Sequence, residues 1–167
     1  MSLVGIQLDN GGVLLKFVQT SAETGGALHV QEARYPPHSP RPPLHRHPRQ
    51  EERFSIVTGT LSFRVGDTTR LLQTGDEITV PIGALHAAYN PGEVHAVVLW
   101  ETRPALRTAE FFVTMDRALR GRTRPRLIDA AAILSEYREE FQLAKPAPFI
   151  QRVVFGCLAP FGRAALR

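Results

Sequence analysis

A single cysteine, Cys157, stands among the 167 residues. One thiol closes no internal disulfide and builds no cysteine-rich zinc site, and in its apolar surroundings Cys157 reads as a small core residue. The chain also lacks the roughly 18 or more uninterrupted apolar residues of a membrane span. Residues 1–20 carry Asp9, Asn10 and a Gly11-Gly12 turn in place of the basic start and continuous apolar core of a secretory signal, so cytoplasmic residence is the expectation. No glycine-rich phosphate loop and no repeat of fixed period is present, which removes most support for nucleotide chemistry and for a solenoid. What remains is a globular balance of 43% hydrophobic and 22% charged residues, in a chain too short for two ordinary domains.

The net charge of +4 is unevenly spread. Residues 1–100 hold 8 Lys and Arg against 9 Asp and Glu, whereas 101–167 hold 12 against 7. The densest basic stretch, Arg117, Arg120, Arg122, Arg124 and Arg126, has no aromatic interleaving and no nucleic-acid-binding motif around it. It reads as a solvated connector, and nucleic acid is disfavoured as a partner.

From Leu3 to Trp100 the chain is a series of short β-prone runs, among them VLLKFVQT, ALHVQEARY, RFSIV, LSFRV, EITV, HAAY and HAVVLW, separated by turn residues such as Gly25-Gly26, Thr58-Gly59 and Gly66-Asp67. Such spacing without intervening helices predicts an antiparallel sandwich or barrel. Six of the thirteen prolines fall within residues 36–48. Proline fixes φ and removes a donor, so this segment is a stiff extended loop or edge that delivers His45 and His47. After Pro104 the period lengthens. Leu106, Phe111, Met115 and Leu119 predict one helix. Leu127, Ala131, Leu134, Tyr137 or Arg138, and Phe141 predict a second that opens near Asp129. Phe149 to Phe161 predicts a third, with Ile150, Val153, Val154, Cys157 and Leu158 as its packing face. The expected division is therefore 1–104 as a β domain and 105–167 as a helical extension packed on it or on a partner chain.

Three histidines and one glutamate carry the chemistry. Residues i and i+2 of a strand share a face, so His45 and His47 can offer two imidazoles to one point. Glu52 follows five positions later, an odd spacing that demands a bend or bulge if its carboxylate is to face the same interior. A second segment, Gly75 to His86, ends in a histidine that an antiparallel neighbour could set opposite the first pair. His29 and His95 lie in strand-like runs and either line the same interior or pack elsewhere. Phe54, Phe63, Tyr89 and Trp100 read as wall or core, Trp100 also as a residue able to stack on a ligand.

The two segments resemble the two motifs of the cupin superfamily. His45-x-His47, four residues, Glu52, six residues and Gly59 fit the first, with Ser39 where its opening glycine stands. Gly75, Pro81, Gly83, His86 and Asn90 meet every fixed position of the second, fifteen residues further on. Glu51 competes with Glu52 by adjacency, but only Glu52 has six residues before Gly59. The resemblance covers residues 30–101 and implies an all-β antiparallel jelly-roll barrel, here followed by C-terminal α-helices. It further implies one divalent transition metal per chain, Fe, Mn, Ni, Co or Zn, held by His45, His47, Glu52 and His86. The function it implies is that of a metal-dependent enzyme, a dioxygenase-like oxidoreductase or an isomerase, with Glu52 able to act as a catalytic base on a small polar organic ligand. A non-catalytic ligand- or metal-binding or sensor module is the alternative, and a homodimer is compatible with both.

Overall fold

A computed structural model describes residues 2–166. Strands β1 (Gln7–Asn10) and β2 (Val13–Gln19) form a hairpin whose turn takes Gly11 and Gly12 at positive φ, with the Asp9 carboxylate accepting from the Gly12 N–H at 2.7 Å. The one-turn helix α1 (Ser21–Thr24) starts at a capping box between Thr20 and Glu23, in which each residue satisfies an amide the helix leaves unpaired. There follow β3 (His29–Tyr35), β4 (His45–Arg46), β5 (Glu51–Thr58), β6 (Thr60–Val65), β7 (Thr68–Gln73), β8 (Glu77–Val80), β9 (His86–Tyr89) and β10 (Ala96–Arg103). The remainder holds α2 (Thr108–Leu119), α3 (Leu127–Glu136), β11 (Gln142–Leu143) and α4 (Pro148–Leu166).

The strands divide between two antiparallel sheets, one in the order β1-β2-β3-β10-β5-β8 and the other β11-β4-β9-β6-β7. Between β3 and β6 each successive strand changes sheet, so residues adjacent in sequence face each other across the interior. Alternate residues of both sheets fill one core, with Leu15, Phe17, Phe54, Leu61, Phe63 and Val98 almost fully buried. The rings of Phe54 on β5 and Phe63 on β6 meet at 4.6 Å between centroids. The first sheet is the wider, and α2 packs at its β1 side: the Asp116 carboxylate accepts from the Asp9 N–H, and Phe112 sets its ring edge-on to Trp100.

The tail departs from its expected form in three ways. Phe141 does not continue α3, because the helix ends at Tyr137 and the Glu140 and Phe141 amides turn back onto the Tyr137 carbonyl. The chain then runs extended as β11, which pairs with β4 and brings the tail into the second sheet. On α4 most of the expected packing face lies outside: Ile150, Val153, Val154 and Cys157 are exposed, Leu158 is half-buried, and Cys157 is no core residue. Close approach to α3 decides which side is buried. A Cβ on Gly162 would sit 2.3 Å from the Ile128 carbonyl oxygen, so α4 turns its small residues, Ala159 and Gly162, inward.

Gly59, between β5 and β6, has φ of +81°, and a Cβ there would meet the His95 carbonyl oxygen at 2.6 Å and the Ala96 Cα at 2.8 Å. Both obstacles are backbone and neither can swing aside. Gly59→Ala is expected to lower unfolding free energy by roughly 1–3 kcal/mol, read as a reduced midpoint in chemical denaturation; an unchanged midpoint would refute the close approach.

Candidate metal centre

The proline-rich segment 36–44 forms no strand, and it is pinned where the Ser39 and His38 amides donate to the Asn90 and Gly92 carbonyls. It leads into β4, where His45 pairs directly with His86 of β9. His47 lies one residue beyond β4, and its carbonyl accepts from the Gly83 N–H. The odd spacing from His47 to Glu52 is resolved without a bulge. Residues 48–50 carry the chain from one sheet to the other, so Glu52 faces His47 across the interior while Glu51 points to solvent.

His45, His47 and His86 each place a ring nitrogen within 4.8 Å of the others. Each also donates its Nδ1–H to a backbone carbonyl: His45 to Pro43 at 2.9 Å, His86 to Ala84 at 3.1 Å, and His47 to Glu140 in a short bond. These bonds fix the tautomer, so three Nε2 lone pairs converge. The Glu52 carboxylate completes the group, with Oε2 3.2 Å from His47 Nε2 and 3.0 Å from His86 Nε2. Its Oε1 accepts from the Trp100 indole N–H at 3.0 Å. Glu52 is 1% exposed, yet its Oε2 and the His47 Nε2 have no hydrogen-bond partner. With His47 neutral, two buried lone-pair atoms thus face one another across 3.2 Å, an arrangement that a bound cation or a proton on Nε2 relieves.

The tail supplies one wall. Phe141 stacks on His45 at 4.6 Å between centroids, and Phe111 of α2 stacks on the other side of Phe141 at 5.4 Å. Arg107 holds this segment by hydrogen bonds to Glu136 and Glu140, with its guanidinium over the Tyr137 ring. Nothing in the local sequence marks Glu140 or Phe141, which lie more than ninety residues from the histidines they touch. Trp100 packs against the core on Phe54 and Phe112, as expected of a wall residue, and its indole N–H also holds the Glu52 carboxylate. His95 is exposed. His29 is fully buried on the inner face of β3, bonded through Nε2 to Gln31.

Burial and the two neighbouring imidazoles push the His45 pKa down to about 3, and burial likewise lowers His47. For His86 burial also opposes the charge, but the adjacent Glu52 carboxylate outweighs it and raises the pKa. Burial opposes ionisation of Glu52 as well, yet the imidazoles beside it hold its carboxyl down at about 2.

Taken in order, these observations define a two-sheet β domain with a buried three-histidine cluster able to bind a metal. Residues 31–101 match the model of the cupin domain, and this domain belongs to the cupin superfamily. An RmlC-like cupin from Shewanella frigidimarina is 19% identical, with a TM-score of 0.55 over 63% of this chain and 88% of that one. A predicted oxalate decarboxylase from Thermotoga maritima is 20% identical, with a TM-score of 0.53 over 60% and 92%. The Cnp3 cupin domain of Schizosaccharomyces pombe is 15% identical, with a TM-score of 0.53 over 65% and 76%. At these identities the likeness is one of fold. No curated protein matches the chain by sequence, and among the described residues no helix is long and apolar enough to cross a membrane.

Lowered imidazole pKa values mean that the unfolded chain takes up protons which the fold refuses. Without metal, the stability contributed by neutral His45 and His47 is complete above about pH 6.5 and is lost as pH falls below it, by up to about 1.4 kcal/mol per pH unit for each histidine. The depressed Glu52 pKa adds a loss in the same direction below about pH 4.5, while His86 acts in the opposite sense only above about 6.5. Chemical denaturation of the metal-free protein should therefore give a lower midpoint at pH 5 than at pH 7, and equal midpoints would refute neutral buried imidazoles.

Proposed function

We propose that this protein is a metal-dependent enzyme acting on a small polar molecule, with one divalent ion held by His45, His47, Glu52 and His86 inside a jelly-roll barrel. The observation that carries this reading is the set of three Nδ1–H bonds to backbone carbonyls, which orients three Nε2 lone pairs and one orphaned carboxylate oxygen on a common point. The alternation of strands between the two sheets supports a jelly roll, with residues 1–104 as the β domain and 105–167 as an extension that walls one side of the site.

An ion in such a nitrogen and oxygen donor set supplies Lewis acidity toward substrate oxygens, and the set suits Fe, Mn, Ni, Co or Zn. The protein's own part is to hold the donors in place, to keep His45 and His47 neutral by burial, and to keep Glu52 ionised beside the imidazoles. Trp100 fixes Glu52 Oε1, so that the other carboxylate oxygen faces the histidines. Dioxygenase-like and isomerase-like reactions both fit this division of labour. A non-catalytic binding module is the second reading, and the stacking of Phe141 on His45 favours it, because that contact narrows the approach to the cluster.

The purified protein is expected to hold one divalent transition metal per chain. His47→Ala and His86→Ala are each expected to weaken binding at least tenfold, and wild-type affinity should fall as pH drops through the His86 titration, which Glu52 raises above about 6.5, while His45 and His47 stay neutral to lower pH. Metal analysis and competition with a chelator decide this; unchanged metal content in both variants would sink the assignment. Oxygen consumption with catechols, flavonols and thiols, and isomerisation of sugars, then separate enzyme from binder. A loaded protein without turnover in any of these moves the reading to the binding module.

A further inference from the structure

Helix α4 turns a small-residue side toward α3 and an apolar strip toward solvent. Gln151, Ala159 and Gly162 are buried on the inner side. Phe149, Ile150, Val153, Val154 and Phe161 recur at the helical period on the opposite side, where they are between 42% and 76% exposed. Cys157 and Pro160 lie among them, and no polar side chain interrupts the strip between residues 149 and 161. The helix cannot roll this strip inward, because the Gly162 position already lies where a Cβ would come within 2.3 Å of the Ile128 carbonyl oxygen. Gln151 fixes the other end, its Nε2 donating to the Leu143 and Pro146 carbonyls at 2.7 and 2.6 Å. The packing of α4 therefore keeps five large apolar side chains outside, a patch of the kind that marks an interaction surface.

The charge around the strip is of one sign. Residues 148–167 hold three arginines and no acidic residue, and Arg152 stands exposed at the margin of the strip. Near Gly162 the start of α3 lies against α4, directly after the connector that carries the exposed Arg122, Arg124 and Arg126, and Leu127 beside them is 73% exposed. At the other end a cavity of about 290 Å³ opens between α3, β11 and α4, with Phe149, Arg138 and Arg152 in its lining. Glu139, 3.8 Å from Arg138, is also paired with Arg49, so this rim keeps a net positive charge. An apolar strip between arginine clusters is the complement of an anionic lipid surface, whose acyl boundary takes the strip and whose phosphates take the guanidinium groups. A second copy of the chain is the wrong complement. A two-fold axis through the strip would set these arginines against their own kind, with no carboxylate on α4 to answer them.

We propose that α4 docks this protein on an anionic lipid bilayer, with Phe149, Ile150, Val153, Val154 and Phe161 at the boundary of headgroups and acyl chains and with Arg122, Arg124, Arg126, Arg138 and Arg152 on the lipid phosphates. Packed against α3 along its other side, the helix presents the strip parallel to such a surface. The docking face is separate from the histidine cluster and does not depend on the metal reading. The two are nonetheless held in fixed relation, since Leu143, whose carbonyl Gln151 holds, pairs in register with His45.

Sedimentation of the full-length protein with large unilamellar vesicles tests this, with phosphatidylcholine alone set against three parts phosphatidylcholine to one part phosphatidylglycerol. Partition onto the mixed vesicles should be roughly tenfold stronger or more, and it should fall as added salt screens the surface charge. Phe149→Ser combined with Phe161→Ser should weaken it by roughly tenfold or more. Leu71→Ser, which removes a comparably exposed apolar side chain from β7, should leave it unchanged. Arg122→Gln, Arg124→Gln and Arg152→Gln together should bring binding to the mixed vesicles down toward the neutral level. All these positions are exposed, so the melting temperature of each variant should match the wild type. In Phe161→Trp the indole emission should move to shorter wavelength when mixed vesicles are added. No partition onto mixed vesicles, equal partition onto both compositions, or undiminished binding by the double phenylalanine variant overturns the proposal. So does a dimer, seen by analytical ultracentrifugation, that dissociates in that double variant while the wild type leaves vesicles unbound; the strip is then a contact between copies of the chain.

Discussion

The hydrogen bond from each site imidazole to a backbone carbonyl is the constraint on which the centre depends. A neutral imidazole has one donor and one acceptor, and once Nδ1 has donated to Pro43, Glu140 or Ala84 the ring can turn only its Nε2 lone pair inward. The three carbonyls come from three distant parts of the chain: the proline-rich loop, the tail and the turn before β9. Each must be in place before the lone pairs converge, so the site is a property of the assembled fold and of no single segment.

Packing the histidines and Glu52 out of water disfavours protonation of His45 and His47, and the cost of bringing four donors together is left uncompensated at Glu52 Oε2 and His47 Nε2. The tail increases this enclosure. Phe111, Phe141 and His45 form one continuous stack, and Arg107 clamps the segment that carries Phe141. The tail therefore encloses the histidine cluster as well as packing on the first sheet. Access from solvent lies where His45, Trp100 and Phe141 keep partial exposure.

Much of the candidate site was legible because its information is local. His45-x-His47 encodes two imidazoles on one side of an extended segment, and the Gly75 to His86 motif encodes a turn followed by a strand; neither depends on distant packing. The strand runs were readable where apolar alternation marks a buried face, as in β5 and β6. They were not readable in β7, where five of six residues are exposed, or in β4 and β11, which have only two residues each. On α4 hydropathy misled, since Gly162 and Ala159 allow the helix to approach α3 while larger apolar residues are kept outside.

What the sequence by itself determined is the candidate cluster of His45, His47 and His86, the β-rich first hundred residues and the helical period of the tail, because each follows from residue type and short-range spacing. Only the tertiary structure decided how the odd interval from His47 to Glu52 is bridged, since parity along one strand loses its meaning once the chain changes sheets. It also decided that Glu140 and Phe141 complete the histidine environment, and that His29, Thr102 and Glu52 form one row. Such contacts join residues dozens of positions apart, and their geometry is set by sheet register and by the packing of α2 and α3, which no local pattern encodes.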